Sequence, residues 1–128
     1  MKKNILLLTF FSLLITSSFA QEKKYPLILS FTSIGTGVAP ETNINSAIIT
    51  FKKQHKIKNI KADKLTGLGR EGEYKIAFCL DELTPKQRTL FIQKMKAAAK
   101  SIRHEGKVYV TTNDALDKDR GQPEAIRY

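Results

Sequence analysis

Apolar residues along this chain recur with period two in four stretches and with helical spacing in two, and the order of these stretches limits the folds open to it. Leu27, Leu29 and Phe31 alternate with Ile28, Ser30 and Thr32, as in a strand with one buried face. Ser33-Ile34-Gly35-Thr36-Gly37 breaks that pattern, and Pro40 suits the first turn of a helix. Ile44, Ala47, Ile48 and Phe51 then share one helical face, with Lys52 and Lys53 at the end where the helix dipole favours cations. Ile57 to Leu65 reads as a second strand, with Ile60 and Ala62 inward. Its Lys58, Lys61 and Lys64 suit an edge strand that repels unwanted pairing, or else a stripe for polyanions. Gly67 to Gly72 makes a turn, and Tyr74, Ile76, Phe78 and Leu80 mark a third strand.

The second helix has the clearest start. Thr84 is a capping residue, Pro85 fills the first helical position, and Gln87 completes a capping box. Phe91, Met95, Ala98 and Ile102 form its apolar stripe to about Arg103, and Gly106 stands where a C-terminal glycine belongs. Val108 and Val110 flank Tyr109 in a fourth strand ending near Thr112. The order β-α-β-β-α-β predicts an α+β, ferredoxin-like domain of four antiparallel strands with both helices on one face. It occupies residues 21–112, and residues 113–128, polar and containing Gly121 and Pro123, are expected to form an extended or loosely ordered tail.

Residues 1–20 have the plan of a secretory signal: Lys2 and Lys3, an apolar run from Ile5 to Ile15, and small residues Ser18 and Ala20 before a cut ahead of Gln21. The run is shorter than the roughly 20 apolar residues of a bilayer span. No transmembrane segment is therefore expected in the mature chain, and no nearby cysteine invites lipidation. Export to the periplasm or the medium follows. The mature 108 residues make one domain, which must hold together without an internal disulfide because Cys79 is the sole cysteine. Placed inside an apolar strand, Cys79 reads as a small buried hydrophobe.

Without Lys2 and Lys3 the chain has 20 basic and 12 acidic residues, a net charge of +8. That balance favours acidic partners or simply a soluble surface, and export argues against nucleic acid. In the predicted topology three loops gather at one end: Gly35-Thr36-Gly37, Gly67 to Gly72, and His104-Glu105-Gly106. Five of the seven glycines fall in the first two. Glycine lets a ligand approach the backbone closely, and the first loop feeds a helix start that attracts anions. Gly35, Thr36, Gly37, Arg70, Glu71, Arg103 and His104 are therefore the candidate ligand-binding residues. The arginines would clamp an anion, and Glu71 and Glu73 would orient them or move protons. Against this stands plain turn chemistry, with Arg70 and Glu71 as a surface ion pair of little energetic weight.

The stretches Ser30-Phe31-Thr32-Ser33-Ile34-Gly35-Thr36-Gly37 and Gly69-Arg70-Glu71-Gly72-Glu73, followed by Phe78-Cys79, resemble a family of small exported bacterial proteins. The resemblance covers most of the mature chain and implies fold and export but no chemistry. Acylphosphatases are similar in element order, yet Val38-Ala39-Pro40-Glu41 lacks their arginine and Asn59 lies too early in its strand. Heavy-metal-associated domains carry two cysteines in the first loop, where this chain has none. No cofactor, metal or nucleophile set is indicated.

The expectation is a non-enzymatic module that binds a ligand or a protein partner, with a small anion as the candidate ligand of the top loops. The alternative is a small hydrolase of phosphate-containing or acidic substrates, using Arg70 with Glu71 or His104. A third reading is lysine-mediated adhesion to anionic envelope polymers. The second sheet face, with Ile28, Ser30, Ala77, Cys79, Tyr109 and Thr111, offers a surface for a homo-dimer unless the tail covers it.

Overall fold

The computed structural model describes residues 21–35, 37–102 and 106–128. The proposed export segment and the candidate residues Thr36, Arg103 and His104 lie outside the described residues. In chain order the elements are β1 (Lys24–Tyr25), β2 (Leu27–Ser33), α1 (Thr42–His55), β3 (Lys61–Leu65), β4 (Tyr74–Phe78), α2 (Pro85–Lys100), β5 (Gly106–Thr111), β6 (Asp114–Ala115) and β7 (Glu124–Arg127). A single 3₁₀ turn, Lys118–Arg120, separates β6 from β7.

The molecule is α+β, with two helices and a sheet in the order β5-β2-β4-β3-β7 whose neighbours are all antiparallel. The sheet has five strands where the sequence pattern predicts four. The extra one comes from the segment expected to be a loose tail: Glu124 to Arg127 pair with Lys64 to Lys61. Tyr128 and Ile60 continue that ladder by exchanging backbone bonds of 3.0 and 3.1 Å. β3 is therefore an interior strand, and its lysines do not guard an edge.

Period two sorts the side chains between the two faces of the sheet. Leu27, Leu29, Phe31, Ala62, Ile76 and Phe78 join Ile44, Ile48 and Phe51 of α1 and Phe91 and Met95 of α2 in one core. Phe91 holds its centre, edge-on to Phe51 at 5.1 Å and to Phe78 at 5.4 Å between ring centroids. On the opposite face Ile28 and Ala77 pack with Tyr25, Leu65 and Leu116. A two-stranded ribbon of β1 and β6 supplies Tyr25 and the residues beside Leu116. The sheet face expected to be open for self-association is thus partly covered: Ile28 and Ala77 are buried and Cys79 is half-buried, while Tyr109 and Thr111 stay exposed.

Two local expectations are corrected as well. α1 starts at Thr42 with Glu41 as its N-cap, so Pro40 precedes the helix. Gly106 opens β5, while α2 ends at Lys100 with Ser101 as C-cap. A Cβ on Gly106 would meet the Thr32 carbonyl oxygen and the Ala39 amide, so this glycine answers to close backbone packing.

Candidate functional site

β2 and α1 are joined by a loop whose neck is tied by a bridge between Ser33 and Val38 and by the Ala39 amide donating to Thr32 O at 3.3 Å. The neck brings the chain back on itself, and Gly35 and Gly37 take the left-handed backbone this requires, with φ of 87° and 132°. Neither has a neighbour within 4 Å of where a Cβ would stand, so both backbones face open space. Ile34, at the loop's shoulder, is 58% exposed.

Beside this loop lies the β3–β4 hairpin, turned by Gly67 and Gly72 and closed by the Leu68 amide on Glu73 O at 3.1 Å. Glu73 folds back over Gly69, where a Cβ would collide with its carboxylate. Its Oε1 accepts from Ser33 Oγ at 3.1 Å. Two glycine loops separated by some 40 residues are thereby joined into one rim. Arg70 and Glu71 stand exposed on the hairpin, and among the described residues no ion pair joins them. Of the predicted site residues, Gly35, Gly37, Arg70 and Glu71 are carried by this rim, and the residue that links its halves is Glu73. Its role was hidden in the sequence because it depends on which residue of β2 ends up opposite Tyr74.

At the start of α1 the Glu41 side chain makes no capping bond to the helix; its carboxylate turns to Lys64 Nζ at 3.0 Å, with Asn45 Nδ2 at 3.5 Å from its other oxygen. Lys64 lies 4.3 Å above the Tyr74 ring, which stacks on Phe31 at 4.5 Å. Burial works against the Glu41 charge. The Tyr74 hydroxyl, Lys64 and Asn45 outweigh it and hold the carboxyl below its ordinary pKa. Burial, then its hydrogen bond to Glu41, push the Tyr74 hydroxyl up, and burial, then the Glu41 charge, push up that of Tyr128. The cluster is thus a fixed carboxylate among neutral phenols. It ties the start of α1 to the sheet.

A similar lock occupies the other face. The Tyr25 hydroxyl donates to Asp63 Oδ2, and Lys23 Nζ lies 3.2 Å from the same oxygen. Burial, then that hydrogen bond, push Tyr25 up to about 12. For Lys23, burial opposes the charge, but Cys79 and Asp63 prevail and its pKa is raised.

Among the described residues lie two open grooves, each of about 300 Å³. One lies between α2 and β5, the other beside Asn45, Ile48, Ile49, Lys52 and Tyr128. Among the described residues no group of three His, Cys, Asp or Glu is placed to hold a metal ion, and no helix is long and apolar enough to cross a membrane. In comparisons with protein-family models, curated proteins and solved structures, nothing matches this chain.

Proposed function

We propose that this chain is an exported, basic, non-enzymatic module that binds a protein partner through the rim formed by the Gly35–Gly37 loop and the β3–β4 hairpin. The Ser33–Glu73 hydrogen bond carries this reading, because it fixes two otherwise independent loops in one frame. Binding residues concentrate on loops held by a rigid scaffold. Exposed Ile34, open glycine backbone and the exposed charges of Arg70 and Glu71 suit an irregular polypeptide surface. A small anion is a weaker fit, since the Glu73 carboxylate stands at the base of the rim.

The design underneath is a ferredoxin-like unit of β2-α1-β3-β4-α2-β5, widened by β7 and backed by the β1–β6 ribbon. The sheet order β5-β2-β4-β3 within the larger sheet supports it. Export rests on the character of residues 1–20, and the resemblance to small exported bacterial proteins agrees with it. Recovery of a chain beginning at Gln21 from outside the cytoplasm is the expected mass-spectrometric result.

The rim is tested with a photo-reactive residue at position 34, introduced in the producing cell, with a second such residue at exposed Leu90 as control. One discrete adduct at position 34, absent at 90 and lost when Glu73→Ala unties the loops, is expected. The same adducts at both positions would sink the proposal. A phosphate titration followed by amide NMR provides the other arm. Saturable shifts confined to Gly35, Gly37 and Gly72 would make the rim an anion site instead.

A further inference from the structure

Neither helix carries an acidic residue. The 12 carboxylate side chains of this protein all lie outside Thr42–His55 and Pro85–Lys100, while those two segments hold six lysines and Arg88. Arg88 is taken up by the Leu80 and Leu83 carbonyls at 2.9 and 3.1 Å, so the lysines set the charge of the helical layer. α1 and α2 lie side by side in that layer. Asn43 Nδ2 donates to Ser101 Oγ at 2.9 Å near one end, Phe51 meets Phe91 further along, and Lys94 Nζ donates to Gln54 Oε1 at 3.2 Å near the other end.

Each helix turns one stripe away from the core. On α1 it is Thr42, Ser46, Ile49 and Lys53, and on α2 it is Lys86, Leu90, Gln93, Ala97 and Lys100. Every one of these residues is exposed. Ile49 is 65% exposed and Leu90 40%, and each stands one helical turn from a lysine of its own stripe. Of the carboxylates near the helix starts, Glu41 turns to Lys64 and Glu82 to the Lys61 amide, while Asp81 is exposed in the turn before α2. A surface that merely keeps a protein soluble mixes both signs of charge and needs no exposed isoleucine or leucine.

We propose that the outer face of the two helices docks on an anionic lipid surface, with Ile49 and Leu90 entering the headgroup region and the lysines around them meeting lipid phosphates. Lysines on a helix face beside apolar side chains are the composition of elements that lie in a membrane interface. The apolar pair decides between the possible anions, since a soluble polyanion would meet the same lysines and gain nothing from Ile49 or Leu90. This face shares no residue with the loop rim, and the two proposals stand or fall separately.

The test uses the chain from Gln21, which contains every described element, with sedimenting vesicles of phosphatidylcholine alone or in equal mixture with phosphatidylglycerol. Binding is expected on the mixed vesicles and not on phosphatidylcholine alone. Lys53→Gln, Lys86→Gln and Lys100→Gln together should weaken it at least about tenfold, since each lysine near an anionic surface is worth about a factor of five. Lys61→Gln, Lys107→Gln and Arg127→Gln remove the same charge from exposed positions on the other face of the sheet. They should weaken binding less than about threefold, because that face lies beyond the screening length. Ile49→Ser with Leu90→Ser should weaken vesicle binding at least about fivefold and leave binding to soluble dextran sulfate unchanged. On the native chain, vesicles should shield Lys53, Lys86 and Lys100 from acetylation while Lys61 and Lys107 stay reactive, a readout that decides even where a variant misfolds. Equal losses from the two triple variants, or equal shielding of both faces, would overturn the proposal, because net charge alone would then drive binding. Vesicle binding indifferent to Ile49 and Leu90 would replace it with a polyanion site, and no binding to the mixed vesicles would end it.

Discussion

Gly106 has the least freedom to vary of any described glycine. A Cβ there would stand 2.2 Å from the Thr32 oxygen and 2.5 Å from the Ala39 nitrogen, and both are backbone atoms that cannot swing aside. Gly106→Ala must push β5 away from β2 or open the neck of the loop. A loss of about 1–3 kcal/mol is expected, in the range of overpacked cores. It should appear as a lower denaturant midpoint at unchanged slope. Glu41 makes a prediction in pH. Its pKa is lowered in the folded chain, so the stability it contributes is present above the ordinary carboxylate range and drains away as pH falls through the folded value. Glu41→Gln should lower stability at neutral pH and flatten the acid limb of the stability curve; an acid limb of unchanged steepness would assign that limb to other carboxylates. Tyr25 works at the opposite end. Its hydroxyl is raised from 10.0 to about 12, so its contribution is complete below pH 10 and is lost as pH climbs through about 12. Tyr25→Phe should remove that part of the alkaline limb, read by denaturation at a series of pH values.

Helix α2 was legible because its start is written in neighbouring residues. Thr84 Oγ1 accepts from the Gln87 amide at 3.3 Å, the Gln87 side chain accepts from the Thr84 amide at 3.0 Å, and Pro85 needs no partner. None of this depends on the rest of the fold. Thr84→Ala should cost about 1 kcal/mol in a denaturant titration, the usual worth of an N-cap. An unchanged midpoint would mean that packing of Phe91 and Met95 alone sets the helix start. The beginning of α1 was not legible in this way. Pro40 looks like a first-turn proline, but Glu41 is held by Lys64, 23 residues away in the chain and brought close by the sheet. The candidate site divides along the same line. Positive φ at Gly35, Gly37, Gly67 and Gly72 follows from local turn chemistry and could be read from the chain. That Glu73 would fold over Gly69 and reach Ser33 follows only from the pairing of β2 with β4, which places Phe31 opposite Tyr74.

At the scale of the whole molecule, the polar C-terminal segment is the part the sequence concealed. An outer strand needs only one apolar residue on its inner face. β7 has Ile126, and its other contacts are backbone bonds that any residue could make. Lysines on β3 pointed to an edge, yet Lys64 is occupied by Glu41 and by the Tyr74 ring, leaving the outer backbone of β3 for β7 to cover. Tyr128 then fastens the arrangement: its ring lies 5.7 Å from Phe78, and its backbone bonds to Ile60 in both directions. If this clasp holds β7 in place, Tyr128→Ala should cost about 2–4 kcal/mol, near the lower range for large-to-small aromatic changes because the ring is only half-buried. Tyr128→Phe keeps the ring and should cost less than about 1 kcal/mol. Ending the chain after Gln122 removes β7 altogether and leaves the unpaired groups of β3 facing solvent. Such an edge recruits other chains. The truncated protein should therefore be less stable than Tyr128→Ala and should gain mass with concentration in light scattering, while Tyr128→Phe stays monodisperse. A truncated chain that keeps the native denaturation midpoint and a constant mass would show that the four remaining strands are sufficient, and that β7 only lies against them.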